Sequence, residues 1–369
     1  MSTEPRAQSA ASPTTRCQPA TNRSPLGPRD YRPRLQVPPS RVIRYHSSSG
    51  KTGRPTVMAY TRSDLALLGK LTARAFQPLL GRLSTWTCYN GFGNGLFAGG
   101  LSPEEAIANG LLSNNSLFSA GLAFGQAAQW LEQNSQQRLN FAPALRAVSI
   151  LDKKVLAEHR DLIEVYQPNI FLGTPSLAFA LLEIGVLHKF KAVIIGGEPS
   201  SQSLRTLLSL NDQLTVIEVY GLSEGLGPGV AQSCNLGRLH LNEDVFDAHI
   251  SSSELVLSST AIEAITLNNH RTGDIVRELS CSCSNPHRAI EVLGRQRDKI
   301  AALECYPSQL EQELVNHGLS PCFRVTQTEV IAEPRLTGAH HPQLDLQLPL
   351  RLVAPQTLAR TLCAYRIET

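Results

Sequence analysis

The sequence predicts an α/β fold in which a parallel β-sheet is joined by crossover helices. Two observations carry this. Three short apolar runs each end at a glycine or a glycine-bearing turn, and helical stretches lie between them. At 369 residues, the chain is long enough for one large domain and a smaller one.

The elements follow in chain order. Ser63 is placed to cap a helix through Asp64-Leu65-Ala66-Leu67-Leu68, where apolar residues crowd one side. Gln126 to Leu131 reads as part of another helix. Ile170-Phe171-Leu172, ended by Gly173, reads as a buried strand. Ser176 to Leu187 follows as a helix, and Ala192-Val193-Ile194-Ile195 is a second buried strand closed by Gly196 and Gly197. Ser200 to Leu210 is a helix and Leu214 to Val219 a third strand. In such sheets ligands sit beyond the carboxyl ends of the strands, so chemistry is expected at the turns after the second and third.

Composition narrows the function classes. Hydrophobic residues make up 42% and charged ones 18%, which allows a sizeable core. A net charge of +3, with no basic stripe interleaved with aromatics, gives no case for a nucleic-acid partner. No apolar run approaches the roughly 20 residues that span a bilayer, so no membrane partner is expected. No apolar signal-peptide core stands at the start of the sequence, and cytoplasm is the default expectation. Eight cysteines in a chain this long make no dense disulfide pattern. Residues 1–45 are rich in Pro, Arg, Ser and Thr and read as an unstructured leader, a composition that organelle transit peptides share.

Two turns hold the chemistry-bearing residues: Gly196-Gly197-Glu198-Pro199 and Tyr220-Gly221-Leu222-Ser223-Glu224. Glycines there let the backbone approach a flat or charged ligand. A carboxylate such as Glu224 can hold a divalent metal that bridges phosphate oxygens. Taken singly, each turn reads equally as a tight strand-to-helix turn with a solvated acid. A further block comes after them: Leu239-His240-Leu241-Asn242-Glu243-Asp244-Val245-Phe246, Glu254-Leu255-Val256-Leu257 and His270-Arg271-Thr272-Gly273-Asp274-Ile275. Gly294-Arg295 and Pro307-Ser308-Gln309-Leu310-Glu311 complete the series.

In this order the blocks resemble the phenylacetate–CoA ligase family of adenylate-forming enzymes, most strongly from Asn169 to Glu313. The resemblance implies an α/β adenylate-forming-type domain at 46–293 and a reduced α+β C-terminal lid at 294–369. It also implies a two-step reaction. ATP and a carboxylic acid, often an aryl acetate, give an acyl-adenylate and pyrophosphate, and the thiol of coenzyme A then displaces AMP. A degenerate nucleotide-binding homologue without ligase activity is the alternative. An adenylating enzyme that hands its acyl group to an amine or carrier protein is another. A homodimer remains open.

The resemblance assigns residues. Ser48-Ser49-Gly50-Lys51-Thr52-Gly53-Arg54-Pro55-Thr56 is similar to the family's phosphate loop, in which Ser49, Gly50, Thr52, Gly53 and Arg54 would meet the phosphates. A P-loop reading of Gly50-Lys51-Thr52 fails, because that motif needs glycine where Tyr45 stands. Gly197, Glu198, Pro199 and Tyr220 would flank adenine, with Gly221 in the same turn. Ser223 and Glu224 would serve the phosphates and Mg²⁺, and Asp274 would bind ribose. Arg295 would approach ribose or phosphate from the hinge side. Tyr89, Phe92, Gly95 and Phe97 fall in a segment similar to the aromatic, glycine-rich wall of the acid pocket, where aromatic faces suit an aryl ring. Aromatics turned into the core are the other reading.

Cys234, His240, Cys281 and Cys283 would satisfy a structural zinc ion tetrahedrally, the alternative being unligated core cysteines. The C-terminal part departs from the family. Arg297 replaces the hinge carboxylate, and an Arg-Gly pair is missing near Ala301-Ala302-Leu303-Glu304-Cys305. Leu350 to Arg360 resembles the last strand and the loop that leads to the family's catalytic lysine. Ala364 stands at that lysine's position, and no lysine follows Lys299.

Overall fold

The three apolar runs are strands of one mixed sheet. The computed structural model describes residues 35–47, 57–83, 85–92, 119–142, 153–209, 213–335, 346–355 and 358. The parallel half holds β3 (Trp86–Asn90), β4 (Leu139–Ala142), β5 (Ile170–Gly173), β6 (Ala192–Gly196) and β7 (Thr215–Leu222) in the order β4-β3-β5-β6-β7. The helices of the domain are α1 (Arg62–Ala73), which packs on the antiparallel half described next, and α2 (Ser119–Ser135), α3 (Lys153–Tyr166), α4 (Pro175–Glu183) and α5 (Gln202–Leu208). Both faces of these strands are covered, which explains their unbroken apolar runs. Ile170, Leu172, Ala192 and Ile194 pack on one face with Trp86 and Phe124, while Phe171, Val193 and Ile195 pack on the other with Leu177 and Leu204.

Beyond β7 the sheet turns antiparallel. β8 (Gly227–Ser233), β9 (Leu239–Leu241), β10 (Asp247–Ser251), β11 (Glu254–Ser259), β12 (Leu267–Leu279) and β13 (Ala289–Arg295) continue it in the order β7-β8-β9-β13-β12-β11-β10. The crossover pattern describes only the first half. In the second half the signal is hairpins, and β7 runs on through Leu222 instead of stopping at Val219.

Three further boundaries differ from expectation. α1 is capped by Thr61, not Ser63. The Thr61 hydroxyl accepts the Asp64 N–H at 3.2 Å, and the Asp64 carboxylate accepts the Thr61 N–H at 2.8 Å, a reciprocal box. α4 ends at Glu183, two residues before Gly185, and α5 is shorter than Ser200–Leu210 at both ends. Within the presumed leader, Pro39–Arg41 form a short 3-10 turn, and Leu35, Val37 and Val42 are half-buried against the core. A two-stranded sheet pairs β1 (Arg44–Ser47) with β2 (Val57–Tyr60).

A smaller unit follows: α6 (Pro307–Asn316) with β14 (Leu319–Val325), β15 (Val330–Pro334) and β16 (Leu350–Leu352). Leu310, Leu314, Phe323, Val330 and Ala332 form its own core. It rests on the large sheet domain through α5. The Ser201 N–H donates to Glu311 Oε1 at 2.8 Å and the Ser203 N–H to Gln312 Oε1 at 3.0 Å, so α6 supplies acceptors to the orphan donors at the start of α5. Cys322 is buried in the core under α4 and α5.

Candidate nucleotide site and cysteine–histidine cluster

The ends of β6 and β7 lie side by side, Gly196 pairing with Val219. From β6 the chain enters Gly197-Glu198-Pro199. Glu198 turns back to the start of α4, where its Oε2 accepts the Ser176 N–H at 3.1 Å and the Ser176 hydroxyl. A side chain on Gly197 would point toward Phe92, whose Cε1 lies 3.9 Å from the ideal Cβ position. Phe92 stacks on Phe124 with ring centroids 5.7 Å apart. The first turn and one aromatic of the predicted pocket wall are thus neighbours.

From β7 the chain makes a hairpin into β8, not a strand-to-helix turn. Ser223–Gly225 form a single 3-10 turn, and Leu226 adopts the left-handed conformation with φ 60°. Gly221 makes this hairpin possible, because a Cβ there would lie 1.4 Å from Gly227 O. Ser223 and Glu224 are half-buried at its tip. The charge of Glu224 reaches Tyr60, whose phenol is pushed up by burial first and then by Glu224 and Asp64. It also reaches His270, whose imidazole burial holds below its usual range against the pull of Glu224, Asp274 and Glu254. Sequence reasoning missed Tyr60 and His270. His270 had a signal in its place directly before Arg271-Thr272-Gly273-Asp274, whereas Tyr60 had none.

Asp274 sits on β12 opposite Arg295 on β13. The Tyr220 hydroxyl donates to Asp274 Oδ2 at 2.7 Å, and Arg295 Nε lies 3.4 Å from Oδ1. Burial raises the Asp274 carboxyl above the ordinary aspartate range, against the opposing effects of Arg295 and of the Tyr220 hydrogen bond. Burial and then the Asp274 charge push the Tyr220 phenol far up, so it stays a hydroxyl donor. Tyr220, Asp274 and Arg295 therefore form one connected group, with Gly221, Ser223 and Glu224 on the same hairpin.

Asp274 lies at the end of a bulge. Glu254 pairs with Ile275 and Val256 with Arg271, so a two-residue step on β11 faces a four-residue step on β12. Gly273 takes φ +74° within it.

The pocket-wall residues divide. Tyr89 is fully buried, with its hydroxyl against His159 Nδ1 inside the core, and Phe92 is half-buried. Gly95 and Phe97 lie outside the described residues, as do Ser49, Gly50, Thr52, Gly53 and Arg54 of the predicted phosphate loop and Ala364.

Cys234, His240, Cys281 and Cys283 converge, their candidate ligand atoms all within 4.8 Å of one another. Cys234 Sγ and Cys281 Sγ are 3.7 Å apart, and Cys283 Sγ is 3.3 Å from His240 Nε2. Zinc–sulfur bonds of about 2.3 Å set tetrahedral sulfur–sulfur edges of about 3.8 Å, so the donor set would close on zinc with a contraction of up to about 1 Å at its widest edge. His240 Nδ1 lies 2.7 Å from His287 O, the outer hydrogen bond that orients a ligating imidazole. Backbone N–H groups of Leu236 and Asn285 point at Cys234 Sγ and Cys283 Sγ, each at 3.4 Å. Cys234 follows β8, His240 is on β9, and Cys281 and Cys283 follow β12. From Asp274 the chain runs five strand residues to Leu279, roughly 17 Å, before reaching Cys281. The cluster thus lies at the far ends of strands whose near ends carry Tyr220's hairpin and Asp274.

No protein-family model matches the chain. Among curated proteins, the phenylacetate–coenzyme A ligase of Aromatoleum evansii is 27% identical over 311 residues, covering 78% of this chain and 63% of that protein. That of Escherichia coli K12 is 27% identical over 316 residues, covering 78% and 64%. That of Thermus thermophilus is 28% identical over 305 residues, covering 76% and 61%. The chain spans about three-fifths of the length of these relatives. Among solved structures, 2-hydroxyisobutyryl-CoA ligase in the postadenylation state with 2-HIB-AMP matches with a TM-score of 0.63 at 18% identity, over 88% of this chain and 73% of that one. An anthranilate CoA ligase in complex with anthranoyl-AMP matches with a TM-score of 0.54 at 13% identity, over 86% and 64%. These likenesses establish the fold.

Proposed function

The chain is a divergent relative of the phenylacetate–coenzyme A ligases, and from that premise we propose that it binds ATP with Mg²⁺ and adenylates a small carboxylic acid. The acid's carboxylate attacks the α-phosphorus of ATP, the bond to pyrophosphate breaks, and an acyl-adenylate forms. The thiol of coenzyme A then attacks the acyl carbon and AMP leaves. Gly197, Glu198 and Pro199 border the adenine, with Tyr220 and Gly221 opposite. Asp274 accepts the ribose hydroxyls, and Arg295 lies beside it. Ser223 and Glu224 face the phosphates, Glu224 offering a carboxylate to Mg²⁺, which neutralises phosphate charge when bound. Phe92, beside Gly197, offers the acid an aromatic face.

The observation that carries this reading is the Tyr220–Asp274–Arg295 group beside the glycine turn that follows β6. Pyrophosphate exchange against a panel of aryl and alkyl acids, run beside direct ATP binding, tests it. Acid-dependent exchange is expected, and absence of both exchange and ATP binding would refute it. One observation favours a second reading, nucleotide binding without efficient ligation: no lysine follows Lys299, and Ala364 stands where the family's charge-stabilising lysine is expected.

The same reading includes a structural zinc ion held by Cys234, His240, Cys281 and Cys283. The convergence of three thiols and one imidazole and the hydrogen bond between His240 and His287 support it. Its role is to tie the β8–β9 turn to the β12–β13 loop.

A further inference from the structure

Glu254 opens β11 and is 4% exposed, yet it belongs to none of the nucleotide contacts above. Its carboxylate instead grips two points of one bulge. Oε1 accepts the Gly273 N–H at 2.9 Å, and Oε2 pairs with the Arg271 guanidinium. Thr272 supplies a second anchor: its hydroxyl donates to Leu255 O at 2.8 Å and accepts the Asp274 N–H at 3.0 Å. A regular strand would give Asp274 the face dictated by strict alternation. The two extra residues leave the phase of alternation unchanged but lift Arg271–Asp274 out of the β11 ladder, and Asp274 meets Tyr220 and Arg295 where that ladder resumes at Ile275. A buried carboxylate held by a charged and a backbone donor is a rigid anchor, and both of its oxygens serve as acceptors.

We propose that Glu254 is a positioning residue for ribose recognition, which fixes the Arg271–Asp274 bulge and thereby aims the Asp274 carboxylate at the nucleotide's ribose hydroxyls. The inference rests on the reading that Asp274 faces ribose. Glu254→Gln keeps the shape but offers one acceptor and one NH₂ group where two acceptors are required, so the bulge loosens on one side. Asp274 then loses its fixed direction, while adenine and phosphate contacts stay in place.

The test compares binding of Mg²⁺-ATP and Mg²⁺-2′,3′-dideoxy-ATP by calorimetry in the full chain, for wild type, Glu254→Gln and Thr272→Val. Wild type should favour ATP by at least about tenfold, the scale of hydroxyl bonds to a carboxylate. In Glu254→Gln that preference should collapse toward unity, with the dideoxy affinity unchanged. Thr272→Val should do the same through the second anchor, and it carries the comparison alone if Glu254→Gln does not fold. An intact preference in the folded variants would overturn the proposal. Equal weakening of both nucleotides would overturn it too, since that reports general destabilisation. A wild type that binds ATP without discriminating the hydroxyls would instead remove the role given to Asp274, and the proposal with it.

Discussion

Two residues carry opposite messages. Gly221 is indispensable to the hairpin, and Ala364 stands where the resemblance places the family's lysine. Gly221→Ala would place a methyl 1.4 Å from Gly227 O, so β7 and β8 must separate. Thermal unfolding should register a loss of at least about 3 kcal/mol, together with weaker nucleotide binding. A variant as stable as wild type would mean that the hairpin is built otherwise. Removing a well-placed charge-stabilising donor costs about a hundredfold or more, so acyl-adenylate formation should be slow. Ala364→Lys should accelerate it in single-turnover assays, and no response would argue against the alignment at that position. At this scale the sequence was informative where polar residues follow a fixed order, as in Arg271-Thr272-Gly273-Asp274. It was blind to partners set by register. Nothing in the chain pairs Tyr220 with Asp274, 54 positions apart, and Tyr89 reads as a pocket residue although its ring is buried against His159.

Among the elements, the parallel strands were legible because burial on both faces leaves unbroken apolar runs such as Ala192-Val193-Ile194-Ile195. The antiparallel half was not, since β12 has an exposed or half-exposed run from Asn268 to Gly273 and lacks simple alternation. The grouping of Cys234, His240, Cys281 and Cys283 was legible from residue type, and the strand order explains it. β8, β9, β13 and β12 are consecutive neighbours, so the turns at one end of them must meet. Metal analysis of protein purified without chelator should find one zinc per chain, and Cys283→Ser should release it. Zinc removal should lower the melting temperature, because affinity for the folded site adds to folding free energy. Finding no zinc, or an unchanged melting temperature after chelation, would leave the four residues as ordinary side chains. Since the cluster lies at the far ends of the strands, ATP affinity should change less than stability.

In the whole molecule, the small C-terminal unit is joined to the large sheet domain by polar contacts that sequence patterns do not announce. Glu311 and Gln312 on α6 accept backbone N–H groups at the start of α5. Glu333 on β15 acts on Glu183 at the end of α4, whose carboxyl is pushed up to about 7 by burial and then by the charge of Glu333. A carboxyl that binds its proton more tightly when folded gives stability that is full below its ordinary value of 4.5 and lost as pH rises through about 7. Glu183→Gln should therefore raise the melting temperature at pH 8 and lose that advantage toward pH 5. A constant gap across this range would contradict the assignment.

The strand ends of the large domain, with Tyr220, Asp274 and Arg295, are expected to form a working nucleotide site. Calorimetric titration of the full chain with Mg²⁺-ATP, beside Asp274→Ala, tests this most directly. Wild type should bind one nucleotide. The variant should bind more weakly by very roughly 1.5–3 kcal/mol, the worth of hydrogen bonds to a charged acceptor. Equal affinity in the two proteins, or no binding in either, would contradict it.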